Sequence, residues 1–466
     1  MCRTTRRLRS CIPRRILQSF RGEGARSCGE REALLHRVRT RGDHGSVRRV
    51  RSRIGHAGAV TDAVGLEGAL LDLDVLRIAH GGVSVAEHDG RVVFVADTLP
   101  GERVRARVTE DRHDRWLRAE TVAVLDPSPD RRPHVWAAAS VDRDPAQRAG
   151  GAEFGHITGE RQRALKTEVL RDALARTGRL HPDEIDALDP VIMQVPGAAD
   201  GTRSRTRIRL HVSPDGAVGP YAARTRTVVR VEDLPLGVEA LEGLLPGAPR
   251  DRGAVDLVAP SAGEPFALPA GAAHAAITER VGERSFALDA AGFWQVHPAA
   301  AAVLTAAVRD ALDPERFDPR ARNLDLYGGV GLLAAALGDA GGPGTRVTTV
   351  EADRAASRHA RANLAAWRGA RSVAARVDAF LARERDPRPG ATVVLDPPRS
   401  GAGRAVVDAV AALRPARIVY VACDPVALAR DLATFAGHGW RPVALSAFDL
   451  FPNTHHLEAV AVLDHD

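Results

Sequence analysis

Cysteine is nearly missing from this 466-residue chain: Cys2, Cys11 and Cys28 crowd the first 28 residues, and Cys423 is the single cysteine after them. One thiol can build neither an internal disulfide nor a cysteine metal cage in that long remainder. Lysine is scarcer still, with Lys166 alone against 64 Arg. That excludes a GK[ST] phosphate loop and leaves Lys166 as the one possible Schiff-base lysine. The imbalance reads as coding bias rather than chemistry. No run of about 18 apolar residues appears, so no membrane span is expected. The length predicts two or three domains with substantial cores.

Net positive charge is also absent from most of the chain. Residues 1–55 hold 16 Arg against 4 acids, a local +12, so the remainder carries −6 of the total +6. A nucleic-acid face in the body must therefore be a local patch. Residues 1–60 lack an apolar period and read as a disordered Arg-rich extension. Such an arm could tether RNA or act as a transit peptide. The reading taken is an extension dispensable to the fold, with no secretory-type apolar core and a cytoplasmic location.

What is present begins with short alternating runs. LRIAHGGVSVAEHDGRVVFVADTLPGERVRARVTE is punctuated by Gly81-Gly82, Asp89-Gly90 and Pro100-Gly101, the pattern of a small β-barrel. SPDRRPH then reads as a linker, Glu160 to Ala175 as a helix, and SRTRIRLHVS and RTRTVVRVED as β runs. From about residue 286 strand and helix patterns alternate, which predicts a parallel sheet with helices on both faces.

Chemistry concentrates in that last third. Asn323 to Tyr327 reads as a strand running into Gly328-Gly329-Val330-Gly331, where glycines let backbone approach a ligand. Arg346 to Val350 reads as a second strand ending at Glu351, an acid placed to bond ribose hydroxyls. Asp378 follows a third strand and can meet an adenine edge. Asp396-Pro397-Pro398-Arg399 follows a β-branched run, and the prolines stop the strand. Cys423 follows another strand, with Asp424 as N-cap and Pro425 as first helical residue. That turn predicts a lowered thiol pKa from the helix dipole, although Asp424 opposes it. Glu458 opens the final strand, an odd choice for a core unless it has a partner. His455 and His456 are read as loop residues rather than metal ligands, because neighbouring side chains point apart.

FWQVHPAAA, DLYGGVGLLA, DPPRSGAG, ACDPVALARDL and HHLEAVAVL, in that order, resemble the S-adenosylmethionine-dependent RNA uracil-5-methyltransferases over residues 65–466. HDGRVVFVADTLPGERVRARV and SPDR look like the TRAM domain that precedes catalysis in many members. The resemblance implies an α/β fold: a Rossmann-like class I methyltransferase domain (286–466) preceded by an OB-like TRAM β-barrel (61–126) and a mixed α+β central domain (127–285). It implies that Cys423 adds to uracil carbon 6, that Glu458 removes the carbon-5 proton, and that the target base is extruded from its stack. It assigns Gln295, Tyr327, Gly329, Gly331, Glu351, Asp378 and Asp396 to the S-adenosylmethionine site. Arg399 is a candidate for a phosphate or base contact, or for a structural ion pair.

The chain departs from the family in several places. The family's CGGC cluster motif is Ala149-Gly150-Gly151-Ala152, and a fourth cysteine position is Leu234. Ligation needs thiolates, so no iron–sulfur cluster is expected. FxQVN ends in His297, and SCNP becomes Ala422-Cys423-Asp424-Pro425. The implied partner is RNA, either tRNA or 23S rRNA, with no membrane and no obligate protein partner. Competing readings are a methyltransferase for another base, either an amino-methylating enzyme, which leaves Cys423 and Glu458 unemployed, or a cytosine-5 enzyme, which also uses a cysteine but fits ACDP less well, and a non-catalytic RNA-binding or RNA-folding protein.

Overall fold

Strand β1 (Leu70–Asp74) alternates exposed and buried residues, and the same period runs through β5 (Arg103–His113) and β6 (Trp116–Asp126). Together with β2 (Arg77–Ile78), β3 (Ser84–His88) and β4 (Arg91–Ala96) they form one six-stranded sheet in the order β1-β5-β6-β4-β3-β2. All its pairings are antiparallel except β4 with β6. Its inward residues, among them Leu73, Val93, Val104 and Leu117, make a separate small core. Each such side chain contributes about 1.5–3 kcal/mol on burial. The computed structural model describes residues 65–249, 253–269, 272, 276–384 and 386–465, so the extension assigned to residues 1–60 lies outside them.

The next stretch carries α1 (Gly159–Arg176), close to the helix expected from Glu160 to Ala175. Helix α2 (Pro182–Leu188) follows, and then a two-residue strand, β7 (Ile192–Met193). Strands β8 (Arg207–Val212), β9 (Val218–Gly219), β10 (Gly253–Val258) and β11 (Phe266–Pro269) form a sheet in the order β11-β10-β8-β9, with short α3 (Glu239–Glu242) beside it in sequence. Strands β12 (Ala276–Val281) and β13 (Arg284–Asp289) make a hairpin.

The eight-stranded sheet that follows holds the chemistry. It runs β16 (Gly369–Ala374), β15 (Arg346–Glu351), β14 (Asn323–Leu326), β17 (Thr392–Leu395), β18 (Arg417–Ala422), β20 (Glu458–His465), β19 (Trp440–Phe448) and finally β7. β16 through β18 are parallel, and β20 is antiparallel to both β18 and β19. β7 pairs with β19 as the edge strand, so one element of the 127–285 segment completes the C-terminal sheet. Two residues are too few to leave a period in the sequence, which is why this crossing was not foreseen.

Side chains alternate between two cores. Val393, Leu395, Ile418 and Tyr420 face one core with α8 (Arg404–Ala412) and α9 (Pro425–Ala436). Val394, Val419, Val421 and Val460 face the other with α4 (Ala300–Ala311) and α5 (Leu332–Gly341). Strand order reverses between β14 and β17, because the chain runs out through β15 and β16 and then returns to the other side of β14. Open α/β sheets bind ligands at the carboxyl ends flanking that reversal.

Candidate active site

The turn after β14 is built for close approach. Tyr327, Gly329 and Gly331 take left-handed backbone, with φ of 62°, 53° and 91°. Gly328 packs so tightly that a Cβ there would lie 1.9 Å from Thr349 Oγ1. A Cβ on Gly329 would meet nothing within 4 Å, so the outer side of the loop is open. Glu351, at the end of β15, accepts from Gly329 N at 3.0 Å and from Asp353 N at 2.7 Å. The structure thus joins Gly329 and Glu351 directly. Asp378 lies in the first turn of α7 (Val377–Leu381), which follows α6 (Arg354–Asn363) and β16 in the chain, and is exposed and ion-paired with Arg376 at 2.7 Å. Tyr327 is half-buried, and burial followed by Asp378 and Asp431 pushes its hydroxyl up to about 12.

Beneath this loop sits an acid that sequence reading missed. Asp325 is fully buried in β14 and accepts from Thr349 Oγ1 at 2.9 Å. Burial pushes its carboxyl up to about 7. Its signal was present in NLDL, an acid in the middle of an apolar strand. Asp396, just past β17, donates its backbone N–H to Leu326 O at 3.2 Å across the reversal. Burial and the neighbouring Asp325 raise its carboxyl to about 7.

The loop with Gln295 lies between β13 and α4, where Val296 O accepts from Thr206 N at 2.8 Å and Oγ1 at 3.0 Å. Gln295 is half-buried and makes no side-chain hydrogen bond among the described residues, so the structure does not bond it to the other predicted residues. His297 is buried beside it. Its Nδ1 accepts from Ala299 N at 3.1 Å, and desolvation lowers its pKa.

Cys423 follows β18, with Asp424 capping α9 through Ala427 N at 2.8 Å and Pro425 at the first helical position. The ladder between β18 and β20 pairs Ala422 with Ala459. One residue further along stand Cys423 and Glu458, and opposed residues of an antiparallel pair share a face. The expected low thiol pKa is not what the surroundings produce. Burial pushes Cys423 up to about 12, aided by Glu458 and Asp396, while Arg399 acts the other way. Burial and Asp396 also raise Glu458 well above the carboxylate range, again opposed by Arg399. A helix start cannot outweigh desolvation plus two acids. Arg399, exposed just past the prolines, is thus the cation that favours charge on both groups.

A polar network from the preceding segment holds the loop that enters β20. Lys166, fully buried on α1, donates to Asp449 Oδ1 at 2.5 Å and Phe451 O at 3.0 Å. Gln162 exchanges two bonds with Asn453, which has φ 63° and also accepts from Arg132 at 2.6 Å. Glu153 bonds His455. The two imidazoles do not diverge as expected: their centroids are 3.9 Å apart. Glu153, His455 and His456 each offer a ligand atom within 4.8 Å of the others. Glu153 is already committed to His455, and burial drives His456 down to about 3.

Ala149 and Ala152, the positions matching the cluster motif, converge with Leu234 and Trp136 in one buried apolar cluster. No helix among the described residues is long and apolar enough to cross a membrane.

Residues 388–466 match the family model described as tRNA (Uracil-5-)-methyltransferase, and residues 66–122 match the TRAM domain. An RNA methyltransferase of Streptomyces coelicolor is 37% identical over 451 residues, covering 88% of this chain and 95% of its own. A 23S rRNA (uracil(1939)-C(5))-methyltransferase of Alkalilimnicola ehrlichii is 31% identical, covering 85% and 96%. The solved Pyrococcus abyssi tRNA (uracil-54, C5)-methyltransferase, in complex with S-adenosyl-L-homocysteine, superposes with a TM-score of 0.59 at 20% identity. That match covers 84% of this chain and 99% of the other, and at such identity it speaks for the fold.

Proposed function

The chain belongs to the S-adenosylmethionine-dependent RNA uracil-5-methyltransferase family, and we propose that it methylates carbon 5 of one uridine through a covalent bond to Cys423. The observation that carries this reading is the juxtaposition of Cys423 and Glu458 one residue past the Ala422–Ala459 pair, with the Arg399 cation favouring the charged form of both.

The residues flanking the strand-order reversal suit the methyl donor. Glu351 is an acceptor at the end of β15, Gly329 leaves the loop open, and Asp396 lies across β14 from it. Tyr327, Gly331, Gln295 and Asp378 complete the set we assign to it. When bound, S-adenosylmethionine supplies an electrophilic sulfonium methyl, which an activated carbon 5 can take as the methyl–sulfur bond breaks and S-adenosylhomocysteine leaves. The protein must create that activation. The Cys423 thiolate adds to carbon 6, forming a C–S bond and leaving an enolate across carbons 4 and 5. After methylation the Glu458 carboxylate accepts the carbon-5 proton. The C–S bond then breaks, carbons 5 and 6 regain their double bond, and the thiolate is restored.

Arg399 supports both charged states, and an incoming base that displaces water deepens the dependence on it. An iron–sulfur cluster has no place in this reading, since Ala149, Ala152 and Leu234 bring no thiolate. We take 23S rRNA as the first substrate to test, because the relative named for it aligns at 31% identity along nearly its whole length. A protein that modifies RNA fits a cytoplasmic location. The test is methyl transfer from labelled S-adenosylmethionine to 23S rRNA and, separately, tRNA, with nucleoside analysis. Labelled 5-methyluridine is expected, and label on any other nucleoside would overturn the assignment.

A further inference from the structure

We propose that the turn between β2 and β3 positions the nucleophile: His80 holds Asp424, the residue next to Cys423, and offsets its charge. The bond is direct, His80 Nε2 lying 2.8 Å from Asp424 Oδ2. The same carboxyl caps α9 with its other oxygen, through Ala427 N at 2.8 Å. One side chain therefore fixes the start of the nucleophile's helix and receives a bond from a different sheet, 344 residues away in sequence. His80 is half-exposed and Asp424 less so, at 47% and 23%.

The turn has little room to sit elsewhere. Ala79 N donates to Val83 O at 2.8 Å, and Gly81 and Gly82 take φ of 85° and 75°. A Cβ on Gly82 would come 2.8 Å from His455 Cβ, so the turn is wedged between the 455–456 loop and Asp424. Gly82 and His80 line one narrow cavity together with Cys423, Lys166 and Phe154.

Charge gives the contact its consequence. An amide at position 424 would cap α9 without adding charge, whereas a carboxylate sets a negative charge beside a thiol that must ionise. The thiol already faces Glu458 and Asp396, with Arg399 opposing them. The bond from His80 is what meets the added charge. Elsewhere around His80, α1 turns Glu168, Asp172 and Arg176 toward it, and Arg77 of β2 lines the same groove. None of these four makes a hydrogen bond to the ring. His455 and His456 close the other side. The sheet that carries the TRAM match is thereby tied to the reactivity of the catalytic turn.

The inference rests on reading Cys423 as the attacking thiol, but its test needs neither RNA nor methyl donor. In the full-length protein, the rate of Cys423 carboxamidomethylation by iodoacetamide is followed on its own peptide by mass spectrometry from pH 6.5 to 9.5. His80→Ala should slow the reaction about three- to tenfold near pH 7.5 and move the profile to higher pH, as expected when an unshielded charge raises a thiol pKa by half to one unit. In an Asp424→Asn background, which keeps the cap, adding His80→Ala should change nothing. Equal slowing in both backgrounds, or no slowing beside Asp424, would overturn the proposal. Coupling observed in a protein that makes no 5-methyluridine would instead overturn the proposed reaction and leave this contact standing.

Discussion

Lys166 Nζ lies 2.5 Å from Asp449 Oδ1, both side chains almost fully buried, at the base of the loop that leads into Glu458. In a chain with one lysine against 64 arginines, this buried site takes the compact ammonium rather than a planar guanidinium. Burial lowers the lysine's pKa while Asp449 counteracts that loss. Lys166→Met leaves a buried carboxylate without its cation, a change that costs about 3–5 kcal/mol. A clear fall in thermal midpoint is expected, with methyl transfer reduced because the loop loosens. Lys166→Arg should cost about 1–3 kcal/mol through overpacking. Thermal melts of both variants check the order.

Cys423 and Glu458 have separable roles if the proposed reaction holds. Cys423→Ala should abolish methyl transfer while S-adenosylmethionine binding, which we assign to Glu351, Gly329 and the residues grouped with them, stays near wild type. Glu458→Gln should methylate and then stall, trapping an RNA–protein adduct that survives denaturing electrophoresis. Full turnover by Cys423→Ala would end the covalent mechanism.

Much of this site was legible because its residues sit where strands end, and strand ends leave local signals. Glycines after β14, prolines after β17 and the Asp424-Pro425 cap after β18 each mark a turn within a few residues, and the strand order gathers those turns at one edge. Contacts between distant segments left no such mark. His80 touching Asp424, Lys166 reaching Asp449 and β7 joining β19 are set by packing across hundreds of residues. The thiol's raised pKa was hidden for the same reason: the helix start is local, but burial and the facing carboxyls come from tertiary structure. Asp325 was within reach, since an acid inside an apolar strand needs an explanation.

The site's electrostatics fix the sign of its pH dependence. Cys423 is pushed up to about 12, so at neutral pH the thiol is held mainly in its protonated form, and burial and Asp396 push the Glu458 carboxyl in the same upward direction. The proposed attack needs the thiolate and the proposed proton removal needs the carboxylate, so raising the pH favours each. Single-turnover methyl transfer, which in the proposed reaction needs only the thiolate, should therefore climb steadily from pH 6 to pH 9, by up to about tenfold per unit, and release of the methylated product should carry the added dependence on Glu458. Arg399→Gln should lower the rate throughout and keep the climb, because it removes the cation that favours both charged forms. A rate that peaks near pH 6 and declines would contradict this account of the site.

Asp325 links stability to pH in the opposite direction from a paired surface carboxylate. Its folded pKa is raised from 3.8 to about 7 by burial, so the native state holds the proton more tightly than the unfolded chain does. That contribution is fully present below the unfolded value and is lost as the pH rises through about 7. Asp325→Asn removes the ionisation while keeping an acceptor for Thr349 Oγ1, whose bond to the carboxyl is 2.9 Å. The variant should gain stability relative to wild type at pH 8 and show little advantage at pH 5. Urea unfolding at the two pH values measures the difference. An equal offset at both would mean that Asp325 does not change its protonation between the folded and unfolded chain, and that the carboxyl under the glycine loop is held charged by contacts other than Thr349.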